Sequence, residues 1–290
     1  PPWPPAPPLS PADWHWHTDA AAFARGVERI RHWIAAGDLF QANLTACCER
    51  TLATDPDPLA LYGRLRQYCP APFRGLAIAA TASGALEAVL SASPERFLTV
   101  AADGHVETRP IKGTRPRHAD PARDAAAAAD LVSHPKDRAE NVMIVDLLRH
   151  DLGRVCQPGS IQVPQLVALE TYAQVHHLTS VVHGQLRPGV GVADLLRACW
   201  PGGSISGAPK VRACLRLNSL EPVPRGPYCG SLFALQADGS FDSSILIRTL
   251  LLQGRQLRLH AGCGIVADSD PNQEAEEMGW KIRPLLEALA

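Results

Sequence analysis

The sequence predicts an α+β fold in which antiparallel β-strands form hairpins and helices are inserted between groups of strands. Three observations support this prediction. Apolar and polar residues alternate with period two in several short runs, turn-forming pairs separate neighbouring runs, and apolar stripes with helical spacing lie between the groups of strands. The chain of 290 residues is 46% apolar, which is enough for a large buried core.

The first predicted element is a helix that begins after Thr18 or Asp19. Apolar residues from Phe23 to Ile34 recur on one helical stripe, and Gly37 then provides a stop signal. In the middle of the chain, an alanine run supports one helix and a proline in the first turn supports the next. Beyond the first, helices are expected at about 121–132, 135–150, 192–199, 209–220 and 271–289.

The first predicted strand is the run Leu39–Ala46. Its even-numbered residues from Phe40 to Leu44 are apolar and its odd-numbered residues from Gln41 to Thr45 are polar, so one face packs and the other can line a polar cavity. Antiparallel hairpins are expected around the turn pairs Ser83-Gly84, Asp103-Gly104, Asp238-Gly239 and Gln253-Gly254. The remaining strands are expected at 75–81, 86–91, 97–100, 105–109, 161–170, 175–186, 228–236, 244–252 and 256–261.

Composition limits the class of protein. Residues 1–18 are expected to form a proline-rich leader or linker, and residues 19–290 a single catalytic domain. A net charge of −1 provides no field for nucleic acid or an anionic membrane, and no apolar run is long enough to span a bilayer. The leader is not a secretory signal, and the eight cysteines lack zinc spacing, which favours reduced thiols in a cytoplasmic protein.

Lys112 is the first candidate for chemistry. Only four of the 28 basic residues are lysines, and Lys112 lies in a predicted turn, Arg109–Arg117, that is otherwise rich in arginine. An amine can lose its proton and act as a nucleophile, which a guanidinium cannot do. Flanking Arg109 and Arg115 would favour the neutral amine by disfavouring a third positive charge. The alternative interpretation is a solvated loop lysine.

Four carboxylates form two pairs with a spacing of three residues on predicted helices, Asp137 with Glu140 and Glu274 with Glu277. This spacing places both members of a pair on one helix face. Together they suit Mg²⁺, which prefers oxygen ligands and usually binds one or two protein carboxylates plus oxygens of the substrate. For each pair alone, a solvated helix face is the alternative, with Lys281 as an ordinary partner of Glu277.

Further features concern anion binding and histidine placement. The glycines of Gly262–Val266 permit close approach of backbone N–H groups to an anion. Arg248 interrupts a predicted apolar strand, so its guanidinium requires an anionic partner from the protein or from a ligand. Only one of His176 and His177 can face a given side of their predicted strand. The glycine-rich run 202–210 does not have the lysine position of a phosphate loop, which argues against nucleotide binding.

Several motifs occur in the order found in the chorismate-utilising enzymes, and the chain resembles this family from about Asp19 to its end. The resemblance implies a fold of two large antiparallel β-sheets packed together, with helices outside and the active site between the sheets. The motifs are F-Q-A-N-L-T at 40–45, S-P-E-R-F at 93–97, P-I-K-G-T-R-P-R at 110–117, D-R-A-E-N at 137–141, D-L-L-R-H-D-L-G-R at 146–154, P-G-G-S-I-S-G-A-P-K at 201–210, I-R-T at 247–249, G-C-G-I-V at 262–266 and the closing set Glu274, Glu277 and Lys281.

Position 112 separates the branches of this family. Anthranilate and isochorismate synthases typically carry alanine there, whereas the aminodeoxychorismate synthase branch carries lysine, as this chain does. Gln41 agrees with this branch, because isochorismate and salicylate synthases place a water-activating lysine at that position. The resemblance implies amination of chorismate at C4 with ammonia, which gives 4-amino-4-deoxychorismate for p-aminobenzoate and folate synthesis. It assigns Lys112 as the nucleophile at C2 and Glu95 as the acid that protonates the departing hydroxyl.

The resemblance also assigns the metal and substrate sites. Glu140 and Glu277 are expected to hold Mg²⁺ at the ring carboxylate of chorismate, with Asp137 and Glu274 behind them. The residues expected to bind the substrate are Arg248, Tyr228, Gly262, Gly264, Lys281, His177, Thr114, Gln41 and Asn43.

The expected partners are chorismate and a separate glutamine amidotransferase subunit that supplies ammonia, because nothing in the chain resembles a glutaminase. Two alternatives stay open. The first is anthranilate synthase component I, which differs in the amine product. The second is a chorismate-binding module without turnover, against which the complete set of acids and Lys112 argues.

Overall fold

The computed structural model describes residues 3–5, 8–82, 84–172 and 175–290. The chain divides into two compact units, and its strands form two sheets in which the pairings are antiparallel. The predicted α+β class with two antiparallel sheets is confirmed. Ser83, which belongs to one predicted turn, lies outside the described residues. Within them, no helix is long and apolar enough to cross a membrane.

The elements are numbered along the chain. The helices are α1 (Ala20–Ala35), α2 (Pro58–Tyr68), α3 (Pro121–Ser133), α4 (Pro135–Gly153), α5 (Val192–Cys199), α6 (Lys210–Asn218) and α7 (Pro271–Leu289). The strands are β1 (His15–Trp16), β2 (Gln41–Thr51), β3 (Phe73–Ala80), β4 (Leu86–Ser93), β5 (Arg96–Val100), β6 (His105–Thr108), β7 (Ile111–Pro116), β8 (Gln162–Thr171), β9 (Val175–Gln185), β10 (Gly207–Ala208), β11 (Ser231–Leu235), β12 (Phe241–Ile245), β13 (Thr249–Gln253) and β14 (Gln256–Ile265).

The first unit comprises Pro1–Pro94, Ile205–Leu232 and Ile245–Ala290. Its sheet has the order β1-β2-β14-β13-β4-β3, and β10 also pairs with β2. Helices α1, α2 and α7 pack against strands of this sheet, and the resulting core includes Phe23 and Leu259. The apolar spacing that predicted α1 and α7 is therefore the spacing that forms this core.

Capping residues fix where the long helices begin. Asp19 accepts a hydrogen bond from the Ala22 amide at 2.7 Å, which satisfies one of the unpaired N–H groups at the start of α1. Asp120 and Asp270 cap α3 and α7 in the same way, and each precedes a proline at the first helical position. The predicted positions of these helices are confirmed.

The second unit comprises Glu95–Ser204 and Phe233–Ser244. The second sheet has the order β11-β12-β5-β6-β9-β7, and β8 pairs with β9. Helices α3 and α4 contact β7, β8 and β9. The strand β9 is buried along most of its length, so the helices and neighbouring strands hold its side chains in fixed positions.

The region around Lys112 is a strand rather than the predicted turn. β7 pairs with β9, but between the pairs Ile111–Thr179 and Thr114–His177 two residues of β7 lie opposite one residue of β9, so the strand bulges at Lys112 and Gly113. Gly113 has φ of 82°, and a Cβ there would lie 3.0 Å from the Asp137 side chain. The sequence suggested a turn because proline and glycine flank the bulge, whereas β9 supplies a pairing partner that only the tertiary fold provides.

The strand predicted at 244–252 is wrong as a continuous element. It is split into β12 and β13 by a bend at Arg248, whose φ of 48° lies in the left-handed region that residues other than glycine rarely adopt. Two neighbouring predictions also need correction. Tyr228 lies in a turn before β11 and is not part of a strand, and β14 extends beyond Ala261 to Ile265.

The alternation predicted for β2 is correct for Ala42 and Leu44, which join the core. Phe40 departs from it, because it lies before the first paired residue and is 72% exposed. The polar face is also buried, with Gln41 fully buried and Asn43 7% exposed. Helix α2 was not predicted, because its apolar residues cover nearly the whole helix and show little periodicity.

Candidate active site

Lys112 lies on the bulge of β7 in the second unit. Its side chain is half-buried, and it forms no hydrogen bond or ion pair with the residues that the structure describes. A lysine in a surface ion pair would be bound to a carboxylate, and this one is not. The amine is therefore available for a ligand. This is what a nucleophile requires, although the sequence placed it in a loop.

Two further predicted site residues lie beside the bulge. Thr114 Oγ1 and His177 Nδ1 are 2.8 Å apart, and the two residues are register partners on β7 and β9. His176 faces the opposite side of β9, where its Nε2 lies 3.0 Å from Asp124 Oδ1. The prediction that only one of the two histidines can face a given side is confirmed. The hydrogen bond between Thr114 and His177 fixes the orientation of the imidazole ring beside the bulge.

Glu95 is 8% exposed and lies immediately before β5. The Ser204 hydroxyl donates a hydrogen bond to Glu95 Oε1 at 2.9 Å. This bond holds one carboxylate oxygen in a fixed position within the second unit. A buried, oriented carboxyl group can serve as a proton donor, which is the role that the sequence suggested.

The acids of α4 differ in their surroundings. Asp137 accepts a hydrogen bond from Arg115 at 3.1 Å and lies 3.1 Å from His134 Nδ1. Glu140 has a looser ion pair with Lys136 at 4.0 Å. Asp137 is therefore engaged by both Arg115 and His134, and the expected roles of Asp137 and Glu140 at a metal stay predictions. Arg115 also binds Asp130 at 2.7 Å, so its charge is compensated by two carboxylates rather than directed at Lys112 alone.

The same compensation applies to the other arginine that flanks the bulge. Arg109 donates to Glu107 at 2.7 Å and lies 4.0 Å from Glu170, and this ion pairing raises the pKa of the guanidinium. Both arginines that flank the bulge are therefore engaged by carboxylates of the second unit.

In the first unit, Gly262 and Gly264 lie on β14 opposite Thr45 and Asn43 of β2. A Cβ at Gly262 would lie 2.3 Å from the Leu44 carbonyl oxygen, so only glycine fits there. β13 pairs with β14 only as far as Leu259. Beyond that point the edge of β14 opposite β2 has no strand partner among the described residues, and its alternate N–H groups can bind an anion.

Lys281 anchors α7 beside this edge. Its Nζ lies 2.7 Å from Glu277 Oε1 and donates to the Gly262 carbonyl oxygen at 3.0 Å. Desolvation opposes the charge, but Cys263 and Glu277 outweigh it and raise the pKa of Lys281. The ammonium group is therefore charged at neutral pH and can attract a carboxylate to the glycine edge.

The second acid pair is brought together as the spacing predicted. Ligand atoms of Glu274, Glu277 and Cys263 all lie within 4.8 Å of one another, and Glu274 is 3% exposed. Two converging carboxylates fit a hard divalent cation such as Mg²⁺. Cys263 was not predicted to be near these acids. Burial raises the pKa of its thiol to about 12.

Arg248 lies at the bend between β12 and β13. Its side chain is exposed and has no hydrogen bond or ion pair in the described part of the chain. Desolvation by the surrounding protein lowers the pKa of the guanidinium. The sequence required an anion from the protein or from a ligand. The described residues supply none, and the expected contact of Arg248 with a ligand anion stays a prediction.

Gln41 is fully buried on β2, and both polar atoms of its amide lack a hydrogen-bond partner among the described residues. Burying a polar amide without hydrogen bonds destabilises the fold unless water or a ligand supplies the missing partners. Two residues further along β2, the backbone carbonyl oxygen of Asn43 accepts a hydrogen bond from the Arg225 guanidinium at 2.6 Å, which fixes the position of Asn43. The orphaned amide of Gln41 is thus a candidate contact for a polar ligand.

Arg225 and Glu221 were missed by the sequence analysis. They form a salt bridge at 2.6 Å, and Glu221 also accepts from the Thr45 amide at 3.1 Å. The pair clamps the loop after α6 to β2 at the level of Asn43. Both residues lie outside any helix or strand, so no local periodicity indicated that they reach a distant strand.

Tyr228 is 5% exposed and stacks on His260, with ring centroids 4.9 Å apart. His260, which was also missed, is 2% exposed, and neither ring nitrogen has a partner in the described structure. Burial, reinforced by Arg258, Arg225 and His17, lowers the pKa of His260 to about 3. The imidazole is therefore neutral at physiological pH.

This burial predicts a stability change with pH. Between about pH 3 and 6.5 the unfolded imidazole binds a proton and the folded one does not, so stability falls as the pH falls through this window. The expected slope is about 1.4 kcal/mol per pH unit. Urea unfolding of the wild-type protein and of His260→Phe between pH 7.5 and 4.5 checks this. The slope should be smaller in the variant, and parallel curves would contradict it.

Comparison with known proteins identifies the family of the chain. The sequence pattern of the family described as chorismate binding enzyme matches residues 2–287. The chain is 44% identical over 277 residues to aminodeoxychorismate synthase component 1 of Klebsiella aerogenes, covering 95% of this chain and 59% of that protein. It is 43% identical over 286 residues to anthranilate synthase component 1 of Streptomyces coelicolor, covering 97% of this chain and 54% of that protein.

The solved structure of anthranilate synthase component I from Streptococcus pneumoniae superposes with a TM-score of 0.83 at 35% identity, over 97% of this chain and 60% of that one. The chain thus spans slightly more than half the length of these three proteins. Their names include both amine-forming branches at similar identity, so overall similarity does not separate them. With a family match over nearly all its residues, the chain belongs to the chorismate binding enzymes.

Proposed function

We propose that the protein aminates chorismate at C4 with ammonia and releases 4-amino-4-deoxychorismate. The observation that carries this proposal is Lys112, a half-buried amine without a protein partner in the described residues, on a bulge beside Thr114 and His177. The branch of the family that installs nitrogen at C2 typically has alanine at this position, which could not form a covalent intermediate.

Chorismate carries two carboxylates, and the first unit offers two kinds of group for them. Arg248, Lys281 and the open edge of β14 at Gly262 and Gly264 would bind one carboxylate by charge and by backbone N–H groups. Glu274 and Glu277 would hold Mg²⁺. When bound, this ion would neutralise the ring carboxylate and draw negative charge toward it.

Lys112 and Glu95 would then replace the C4 hydroxyl, a poor leaving group, with a covalent bond from C2 to the lysine that breaks in the next step. The neutral amine attacks C2, the ring double bond shifts, and the C4–O bond breaks as Glu95 delivers a proton to the departing hydroxyl, which leaves as water. The new C2–N bond makes the lysine a protonated amine that loses one proton. Ammonia next adds at C4, the double bond shifts back, and the Lys112 amine leaves C2.

Ammonia would come from a glutamine amidotransferase. Two other functions stay in view. The similarity to the Streptomyces coelicolor protein supports anthranilate synthase activity. No feature of the site supports the second alternative, a binding module without turnover.

The proposed reaction is tested by product identification. The protein is incubated with chorismate, Mg²⁺ and ammonium salt, and the downstream lyase is added to convert 4-amino-4-deoxychorismate to p-aminobenzoate. The expected product is p-aminobenzoate that depends on the added lyase. Anthranilate formed without the lyase would assign the protein to the other branch, and no amine product would favour the binding module.

A second prediction concerns Arg248. Because its guanidinium has no partner in the described chain, replacing it with glutamine removes a charge-assisted contact to the substrate without leaving a protein carboxylate unpaired. A loss of about 1.5–3 kcal/mol corresponds to a rise of roughly 10- to 150-fold in KM for chorismate, with kcat less affected. Steady-state kinetics check this, and Arg248→Lys should recover part of the loss. An unchanged KM would remove Arg248 from the site.

A further inference from the structure

One exposed face of the first unit has the composition of a protein interface. Val211 and Leu215 lie one helical turn apart on α6 and are 77% and 62% exposed. Phe40 is 72% exposed, and its amide donates to the Ala208 carbonyl at 2.8 Å, just before α6 begins. We call Phe40, Val211 and Leu215 the α6 face. A patch of three large, exposed apolar side chains is unusual on a protein surface that contacts only solvent.

The rim of this face is basic. Arg212 and Arg216 both bind Asp38, which follows α1. Arg216 also lies over the Trp33 ring, 4.7 Å from its centroid, and Arg29 lies over the same ring at 5.6 Å. This group contains three guanidiniums, those of Arg29, Arg212 and Arg216, and one carboxylate, that of Asp38. It therefore carries an excess of positive charge. The local charge therefore favours an acidic partner.

The buried centre of a protein interface is apolar, and arginine and tryptophan are enriched among the residues that contribute most to binding. The α6 face also lies next to the site, since Phe40 immediately precedes Gln41, whose buried amide is unpaired in the described structure. A protein docked here would meet the chain at the start of the strand that carries Gln41 and Asn43. That position suits a partner that delivers a small nucleophile.

We propose that the α6 face is the docking surface for the glutamine amidotransferase that supplies ammonia, and that the docked surface of that protein has an apolar centre and an acidic rim. The inference rests on the proposed function, because only an amination needs this partner. It adds the place of contact and the chemistry of recognition.

The test uses the double variant Val211→Asp/Leu215→Asp and the purified amidotransferase encoded by the same organism. Biolayer interferometry is expected to show binding to the wild-type protein, with association that slows as salt increases, and binding about 100-fold weaker or more for the variant. Glutamine-dependent turnover should fall in parallel. Turnover with ammonium salt should be unchanged, because neither side chain belongs to the site.

Leu59→Asp is the matched control, since Leu59 is an exposed helical leucine of the same unit and lies outside the α6 face. It should bind and turn over glutamine like the wild type. If the double variant has a lowered melting temperature, Phe40→Ser provides the second test. Unchanged amidotransferase affinity in either well-folded variant overturns the docking surface. Failure of the wild-type protein to aminate chorismate with ammonium salt overturns the proposed function instead, and the two results are distinguishable.

Discussion

Replacing Lys112 with alanine is expected to lower C4 amination of chorismate by about 10³-fold or more, in the range observed when a catalytic nucleophile is removed. The amine has no partner in the described residues, so its loss leaves no unpaired charge, and the fold should be retained. Ammonia could then attack C2 directly, so the residual product should shift toward anthranilate. Fluorescence-detected chromatography with and without the downstream lyase measures both products.

Lys112→Arg separates charge from nucleophilicity. The guanidinium keeps the positive charge but does not lose its proton at neutral pH. This variant should therefore be as inactive in C4 amination as the alanine variant. An arginine variant with near wild-type activity would show that position 112 supplies only electrostatic attraction, and the covalent role would be wrong.

Replacing Glu95 with glutamine is expected to lower kcat by roughly 10²- to 10⁴-fold, the usual contribution of a general acid. Glutamine has nearly the same shape and can still accept the hydrogen bond from Ser204, so the local structure should persist. The hydroxyl at C4 would have no proton donor, so formation of the covalent intermediate should slow as well. Single-turnover kinetics measure this step apart from ammonia addition.

Ser204→Ala is the control for Glu95. It removes the hydrogen bond at Oε1 but leaves the carboxyl group, so its effect on kcat should be clearly smaller than that of the glutamine variant. If both variants lose the same activity, the carboxyl group acts only through its position. If Glu95→Gln retains more than about a tenth of wild-type kcat, another group donates the proton.

The parts of the fold predicted from sequence are those governed by local periodicity. The stripe in α1 and the alternation in β2 are visible because each element buries one face against a single neighbour. The bulge at Lys112 was predicted as a turn, because its proline and glycine are turn residues and its partner strand is over 60 residues further along the chain. Tertiary pairing determined the structure there.

The site shows the same division. The spacing of Glu274 and Glu277 placed them together because a helix fixes that geometry. Cys263 beside them, the stacking of Tyr228 on His260 and the clamp of Arg225 on Asn43 all depend on contacts between distant segments. No local pattern predicts such contacts. The break at Arg248 was missed because apolar residues on both sides resemble one continuous strand.

The most direct test of the central claim is peptide mapping of the protein quenched during turnover with chorismate in the absence of ammonia. The account predicts that the peptide containing Lys112 gains the mass of chorismate less one water, that the modification lies on the lysine itself, and that addition of ammonium salt removes it. Formation of 4-amino-4-deoxychorismate at full rate while the Lys112 peptide stays unmodified throughout turnover would contradict it.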